Sequence, residues 1–165
     1  MKTLRQGLYE KGGKESRALE ELAKAYDQMT LGYDFYPDEC LDLIFEILTV
    51  EELFMRPGMD SFLLRFSTDI ERLSASQKSK LLDIIVNNYN KYRSLDFCWV
   101  ISDIIARQYE PSSAIYAFNR IAKSSTTQGK EGIALGLNIL SKHKELDDFL
   151  KNNIKDIMNM LSLIQ

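Results

Sequence analysis

Apolar residues recur at intervals of three and four positions along almost the whole chain, and no segment alternates apolar and polar residues as a strand would. This periodicity predicts an all-α protein. Prolines and serines ahead of apolar runs indicate where helices begin. The predicted helices cover residues 14–30, 37–49, 60–73, 76–92, 95–109, 112–124, 130–142 and 145–163, with a short extra turn within 50–55. The apolar stripe of the last helix comprises Leu146, Phe149, Leu150, Ile154, Ile157, Met158 and Leu161.

Neighbouring helices are expected to pair as antiparallel hairpins. The pairs are 37–49 with 59–73, 76–92 with 95–109, and 112–124 with 129–143. Each pair has too little apolar surface to fold alone, which favours a HEAT-like α-solenoid of about eight helices. An irregular helical bundle is the alternative. We expect a single domain over residues 1–165, with residues 1–12 loosely attached because Lys11-Gly12-Gly13 follows them.

Two glycines interrupt the predicted helix 130–142. Gly132 and Gly136 are spaced i, i+4 in the segment GIALGLNIL, so they share one face. A glycine inside a helix costs about 1 kcal/mol relative to alanine. A neighbouring helix that passes close to this face would explain why both positions lack a side chain.

The helix predicted over 37–49 is strongly amphipathic. Its apolar face carries Leu41, Ile44, Phe45 and Leu48. On the opposite face, three acids spaced at i, i+4 and i+8 form a row: Asp38, Asp42 and Glu46. Glu39 lies beside this row. An acid in the first turn favours the helix dipole, which explains Asp38. Asp42 and Glu46 instead repel their neighbours in the row, and the helix sequence offers them no Lys or Arg.

The excess of acids extends beyond this helix. Between Asp34 and Glu71 the chain has ten acidic residues and only two basic ones, Arg56 and Arg65, which gives −8. Because the whole chain carries −3, the remainder carries +5. A run of one charge sign is either a solvated face or a docking surface for a partner of opposite charge. Clustered charge speeds association with such a partner.

Aromatic residues next to the acidic segment are compatible with both interpretations. Tyr33, Phe35 and Tyr36 precede the helix, and aromatic side chains are favoured interface anchors. The same residues would also suit a loop buried under the helix. The docking hypothesis assigns partner contacts to Tyr33, Asp34, Tyr36, Asp38, Asp42, Glu46, Glu51, Glu52 and Asp60.

The side chains that catalysis or metal binding requires are not grouped in the sequence. The one histidine, His143, ends a predicted helix among lysines. Cys40 and Cys98 lie in apolar helical patterns, which favours buried free thiols, although suitable geometry would allow a disulfide. The chain lacks a zinc-ligand cluster, a Glu-x-x-His pair, a G-x-S-x-G motif and a glycine-rich phosphate loop. We therefore expect no enzyme activity, no metal and no cofactor.

Net charge and hydropathy argue against two classes of partner, nucleic acids and membranes. A net charge of −3 argues against direct nucleic-acid binding, which needs basic surface to neutralise phosphates. No apolar run is long enough for a signal peptide or a transmembrane helix. We expect a cytoplasmic protein without a membrane partner.

Two runs resemble a known group of proteins. They are RPGMDSFLLRFSTDIERLSASQKSKLLDIIVNNYN and SDIIARQYEPSSAIYAFNRIAKSSTTQGKEGIALGLNILSKH, within residues 56–143. In helix order, and in segments such as PGMDSFLL and GIALGLNIL, they resemble the small all-helical immunity proteins of bacterial contact-dependent inhibition and polymorphic toxin systems. The resemblance implies a protein that neutralises a toxin domain by binding it tightly, often over its active site. It implies no catalytic residues and identifies no contact residues.

Combined with the acidic segment, the resemblance leads to one expected function. The chain would be a monomer that forms a heterodimer with a cognate toxin, a nuclease whose basic cleft meets the 34–71 region. The alternative is a generic helical-repeat adaptor that binds a protein or peptide partner in a larger assembly.

Overall fold

The computed structural model describes residues 8–9, 24, 27, 31, 36–143 and 146–162. Within these ranges the chain forms α-helices and two 3₁₀ turns, and no strand occurs there, so the prediction of an all-α fold is confirmed. The helices are α1 (Asp38–Thr49), α2 (Glu51–Phe54), α3 (Met59–Ser67), α4 (Ala75–Asn88), α5 (Leu95–Gln108), α6 (Pro111–Ala122), α7 (Thr127–Leu140) and α8 (Asp148–Ser162). The 3₁₀ turns are Ile70–Arg72 and Tyr89–Lys91. The helix predicted over 14–30 lies outside the described residues, apart from Lys24 and Asp27.

Most helix starts lie where local capping chemistry places them. Ser74 and Gln77 form a reciprocal capping box, in which each side chain accepts from the other residue's backbone N–H (3.2 and 2.9 Å). The Ser94 hydroxyl accepts from the Phe97 N–H, and Pro111 occupies the first turn of α6.

Two helix starts differ from the prediction. α7 begins at Thr127 rather than 130, because the Thr126 hydroxyl accepts from the Gly129 N–H (3.0 Å) and extends the helix into the expected loop. α8 begins at Asp148 rather than 145, because the Asp147 carboxylate accepts from the Leu150 N–H (2.7 Å).

The chain divides into two compact units, Met1–Leu81 and Leu82–Gln165. The single domain expected over 1–165 stays a prediction. None of the helices in the described ranges combines the length and apolarity needed to cross a membrane.

In Met1–Leu81 the core is built around α1. The predicted apolar face is confirmed, since Leu41, Ile44, Phe45 and Leu48 are all buried. Leu8, from the segment expected to be loose, is also buried, and the Arg56 guanidinium donates to its backbone carbonyl. At Leu8 and Tyr9 the chain is therefore attached to this core. The rest of 1–12 lies outside the described residues.

In Leu82–Gln165 the most extensive packing joins helices that are two apart in sequence. α5 packs against α7 and α6 against α8, while α6 and α7 also pack against each other as a hairpin. Of the three predicted hairpins, this packing includes 112–124 with 129–143, as α6 with α7. The HEAT-like solenoid itself stays a prediction.

The close approach expected at the two α7 glycines is present. A Cβ atom on Gly132 would lie 2.8 Å from the backbone carbonyl oxygen of Cys98, in α5. A Cβ atom on Gly136 would meet the buried Phe118 ring of α6. Glycine at these positions lets α5 and α6 pack directly against the α7 backbone.

Both cysteines are buried free thiols, as the apolar pattern predicted. Burial raises the pKa of the Cys98 thiol to about 12. The thiolate is the nucleophilic form of cysteine, so Cys98 stays unreactive at neutral pH.

Candidate protein-binding surface

Three carboxylates lie side by side on the solvent side of α1, and we call this row (Asp38, Asp42 and Glu46) the acidic face. Asp38 and Asp42 are exposed, and Glu46 is half-buried. Residues four apart on a helix have Cβ atoms about 5–6 Å apart, so the row forms a continuous strip of negative charge. The face lies opposite the buried apolar positions of the same helix, and it is therefore held on a rigid element.

The members of the acidic face differ in what they contact. The Gln77 side-chain amide donates to Asp38 Oδ1 (2.7 Å), and the Tyr9 hydroxyl donates to Glu46 Oε1 (2.6 Å). Within the described part of the chain, no ion pair or hydrogen bond involves the Asp42 side chain. Asp42 thus presents an uncompensated carboxylate at the middle of the row.

Three more of the predicted acids lie on the next two helices. Glu51 and Glu52 are exposed in α2, which packs against α1. Asp60 is half-buried in the first turn of α3, where its charge favours the helix dipole. The structure therefore groups Asp38, Asp42 and Glu46 on one face, while Glu51 and Glu52 lie on α2 and Asp60 lies on α3.

The prediction that Tyr36 contacts a partner is wrong. Its side chain is buried, with 1% of its surface exposed. Its ring packs edge-on against Phe66 (5.8 Å between centroids), and the Arg72 guanidinium lies over it (5.9 Å). Burial raises the pKa of the Tyr36 hydroxyl above its ordinary value. The alternative of a buried aromatic under the helix is correct at this position. Tyr33, Asp34 and Phe35 lie outside the described residues.

Other side chains of this unit offer the apolar contact area that Tyr36 does not. Met55, directly after α2, is 44% exposed and belongs to the short turn predicted within 50–55. Leu64 in α3 is 53% exposed. Tyr9 is 39% exposed, and its hydrogen bond to Glu46 places its ring beside the acidic face. The sequence pattern pointed to neither Leu64 nor Tyr9.

The described basic residues of this unit only partly offset the acids. Arg65 pairs with Asp27 (3.0 Å) and Arg72 with Asp69 (3.3 Å), so neither compensates the acidic face directly. The Lys80 ammonium lies over the Phe45 ring, 4.7 Å from its centroid. This cation is next to α1 and reduces the negative potential there. The charge count between Asp34 and Glu71 did not include it, because Lys80 follows Glu71 in the sequence.

The described residues include no group of three or more His, Cys, Asp or Glu side chains arranged to hold a metal ion. His143 is exposed after the end of α7. The candidate site is therefore defined by charge and exposed apolar area.

Comparison with known proteins found no matching family model, no similar curated protein and no solved structure that resembles the chain.

Proposed function

We propose that this chain is an immunity protein that binds a cognate bacterial toxin domain in the cytoplasm and neutralises it without catalysis. The toxin would be a nuclease, and the acidic face would cover its basic substrate cleft. The observation that carries the proposal is the carboxylate row on the solvent side of α1, in which the Asp42 side chain makes no hydrogen bond or ion pair within the described structure. The resemblance of residues 56–143 to immunity proteins supplies the biological context.

The proposed mechanism is electrostatic competition. A nuclease cleft is positively charged because it binds phosphates, and a strip of carboxylates presents the same charge sign as a nucleic-acid backbone. The acidic face would attract the toxin over long range and orient it. Met55, Leu64 and Tyr9 would then supply the desolvated contacts that slow dissociation. The resulting complex would be a heterodimer.

Co-expression tests this function. We expect the chain to co-purify with the C-terminal domain encoded by the adjacent reading frame and to restore growth to cells in which that domain is toxic. The immunity function is wrong if the domain encoded by the adjacent reading frame is not toxic. It is also wrong if growth is not restored although both proteins are well expressed. A stable complex with a non-toxic partner would support the adaptor alternative instead.

A further inference from the structure

A groove runs along the surface of Leu82–Gln165 between α6 and α8. Its volume is about 450 Å³. Its floor is apolar: Ile115 and Ile157 are buried, while Leu150 and Met160 are half-buried. Methionine adapts its shape to whatever packs against it, which suits a binding surface.

Two aromatic side chains that line this groove are exposed. Tyr116 is 65% exposed and Phe149 is 71% exposed. Phe149 was expected in the apolar stripe of the last helix, and its exposure shows that it is not part of the core of this unit. Exposed aromatics beside an apolar floor are typical of binding sites, because aromatic anchors contribute much of the energy of an interface.

The polar side chains of the groove indicate the charge of its occupant. Among the described residues that line the groove, Asp156 is the only charged one, and it is exposed. In the described structure neither Asp156 nor the lining amides of Asn119 and Asn153 has an intramolecular hydrogen bond or ion pair. On the α6 side of the groove, the Arg120 guanidinium lies over the Tyr116 ring (6.0 Å to its centroid). The Asp156 carboxylate on the α8 side is complementary to a basic residue.

The shape of the groove indicates a helical occupant. The α8 positions that line it extend from Phe149 to Met160, about 16 Å or three helical turns. An extended peptide gains affinity by pairing with the edge of a sheet, whereas α6 and α8 satisfy their interior backbone groups within themselves. A helix instead places its ridge of side chains between two helices by ridges-into-grooves packing.

We propose that the α6–α8 groove binds an amphipathic helix of a partner protein, about three turns long. The apolar stripe of that helix fills the groove between Tyr116 and Phe149, and a lysine or arginine beside the stripe pairs with Asp156. This is a second binding surface, in a different compact unit from the acidic face, and it does not depend on the proposed immunity function.

A designed peptide tests this surface with the full-length chain. The probe is a fluorescein-labelled helical peptide of about 14 residues, with leucines at i, i+3, i+4 and i+7 and lysines beside the stripe. We expect saturable binding by fluorescence anisotropy. Replacing both aromatics (Tyr116→Ser with Phe149→Ser) should weaken it at least about 10-fold. Asp156→Lys should reverse the preference, so that a glutamate version of the peptide binds more tightly than the lysine version.

The controls separate this site from non-specific adhesion. A scrambled peptide of the same composition, without the stripe, should bind at least about 10-fold more weakly. Leu31→Ser removes an exposed apolar side chain outside the groove and should leave the affinity unchanged. All the substituted positions are exposed, so circular dichroism should show unaltered folding. Absence of saturable binding, equal binding of the scrambled peptide, or an unchanged charge preference in Asp156→Lys would overturn the proposal.

Discussion

Gly132→Ala is expected to lower the free energy of unfolding by about 2–3 kcal/mol, although alanine is the better helix former by about 1 kcal/mol. The added methyl carbon would lie 2.7 Å from the Tyr89 hydroxyl oxygen and 2.8 Å from the Cys98 carbonyl oxygen. The Cys98 carbonyl belongs to the backbone of α5 and cannot rotate away as a side chain can, so α5 and α7 must move apart. The separation would strain two buried hydrogen bonds: the Tyr89 hydroxyl donates to the Gly129 carbonyl (3.0 Å) and accepts from the Ser102 hydroxyl (2.8 Å). Urea unfolding followed by circular dichroism measures the change.

Asn138→Ala is the matched control for this prediction. Asn138 is exposed in the same helix, so the substitution should change the free energy of unfolding by no more than about 0.5 kcal/mol. If Gly132→Ala proves as stable as Asn138→Ala, the direct packing of α5 on the α7 backbone is incorrect.

Alkaline pH is expected to destabilise the fold between neutrality and pH 11, and three buried tyrosines contribute about 4 kcal/mol of this loss. Tyr36, Tyr89 and Tyr92 are at most 1% exposed, and burial raises the pKa of each hydroxyl above its ordinary value. Above about pH 10 the unfolded chain releases these protons while the folded chain retains them. The unfolded state then binds fewer protons, so the tyrosine contribution to stability is complete below about pH 10 and is lost as the pH rises. The buried Cys98 thiol adds a loss that begins near its ordinary pKa of 9.0. Urea unfolding at a series of pH values measures the loss.

Two single substitutions check the origin of this alkaline effect. Tyr92→Phe should reduce the loss of stability at pH 11 by about 1.4 kcal/mol relative to its own value at neutral pH, because one buried hydroxyl no longer contributes. Tyr116→Phe removes an exposed tyrosine and should leave the pH dependence unaltered. The same dependence in both variants would show that buried tyrosines do not cause it.

The helices were predictable because each depends mainly on local information. An amphipathic stripe and a capping residue lie within a few positions of each other, so α1 and α5 have nearly their expected bounds. The errors occur where tertiary packing, or a capping residue that the sequence pattern did not single out, determines where a helix begins or ends. The helix predicted to end at 73 stops at Ser67 and continues as a 3₁₀ turn, and α7 starts early at the Thr126 cap.

The candidate surface was only partly predictable for the same reason. The acidic face follows from the helical repeat of α1, and the structure places its three members as expected. The helical repeat does not indicate whether an aromatic side chain that precedes the helix is buried. Tyr36 is such a residue, and it is buried against Phe66 and Arg72. The contact between Tyr9 and Glu46 joins residues 37 positions apart, and no local pattern indicates it.

Association kinetics at low salt test most directly the claim that the acidic face docks a basic toxin. We expect Asp42→Lys with Glu46→Lys to slow association with the toxin domain at least about 10-fold, and the difference to shrink as salt screens the charges. Tyr9→Phe controls for the lost hydrogen bond to Glu46. Glu110→Lys with Glu131→Lys makes the same change in net charge at exposed residues outside the acidic face and should slow association much less. An unchanged rate in the first double variant, or equal slowing in the second, would contradict docking through the acidic face.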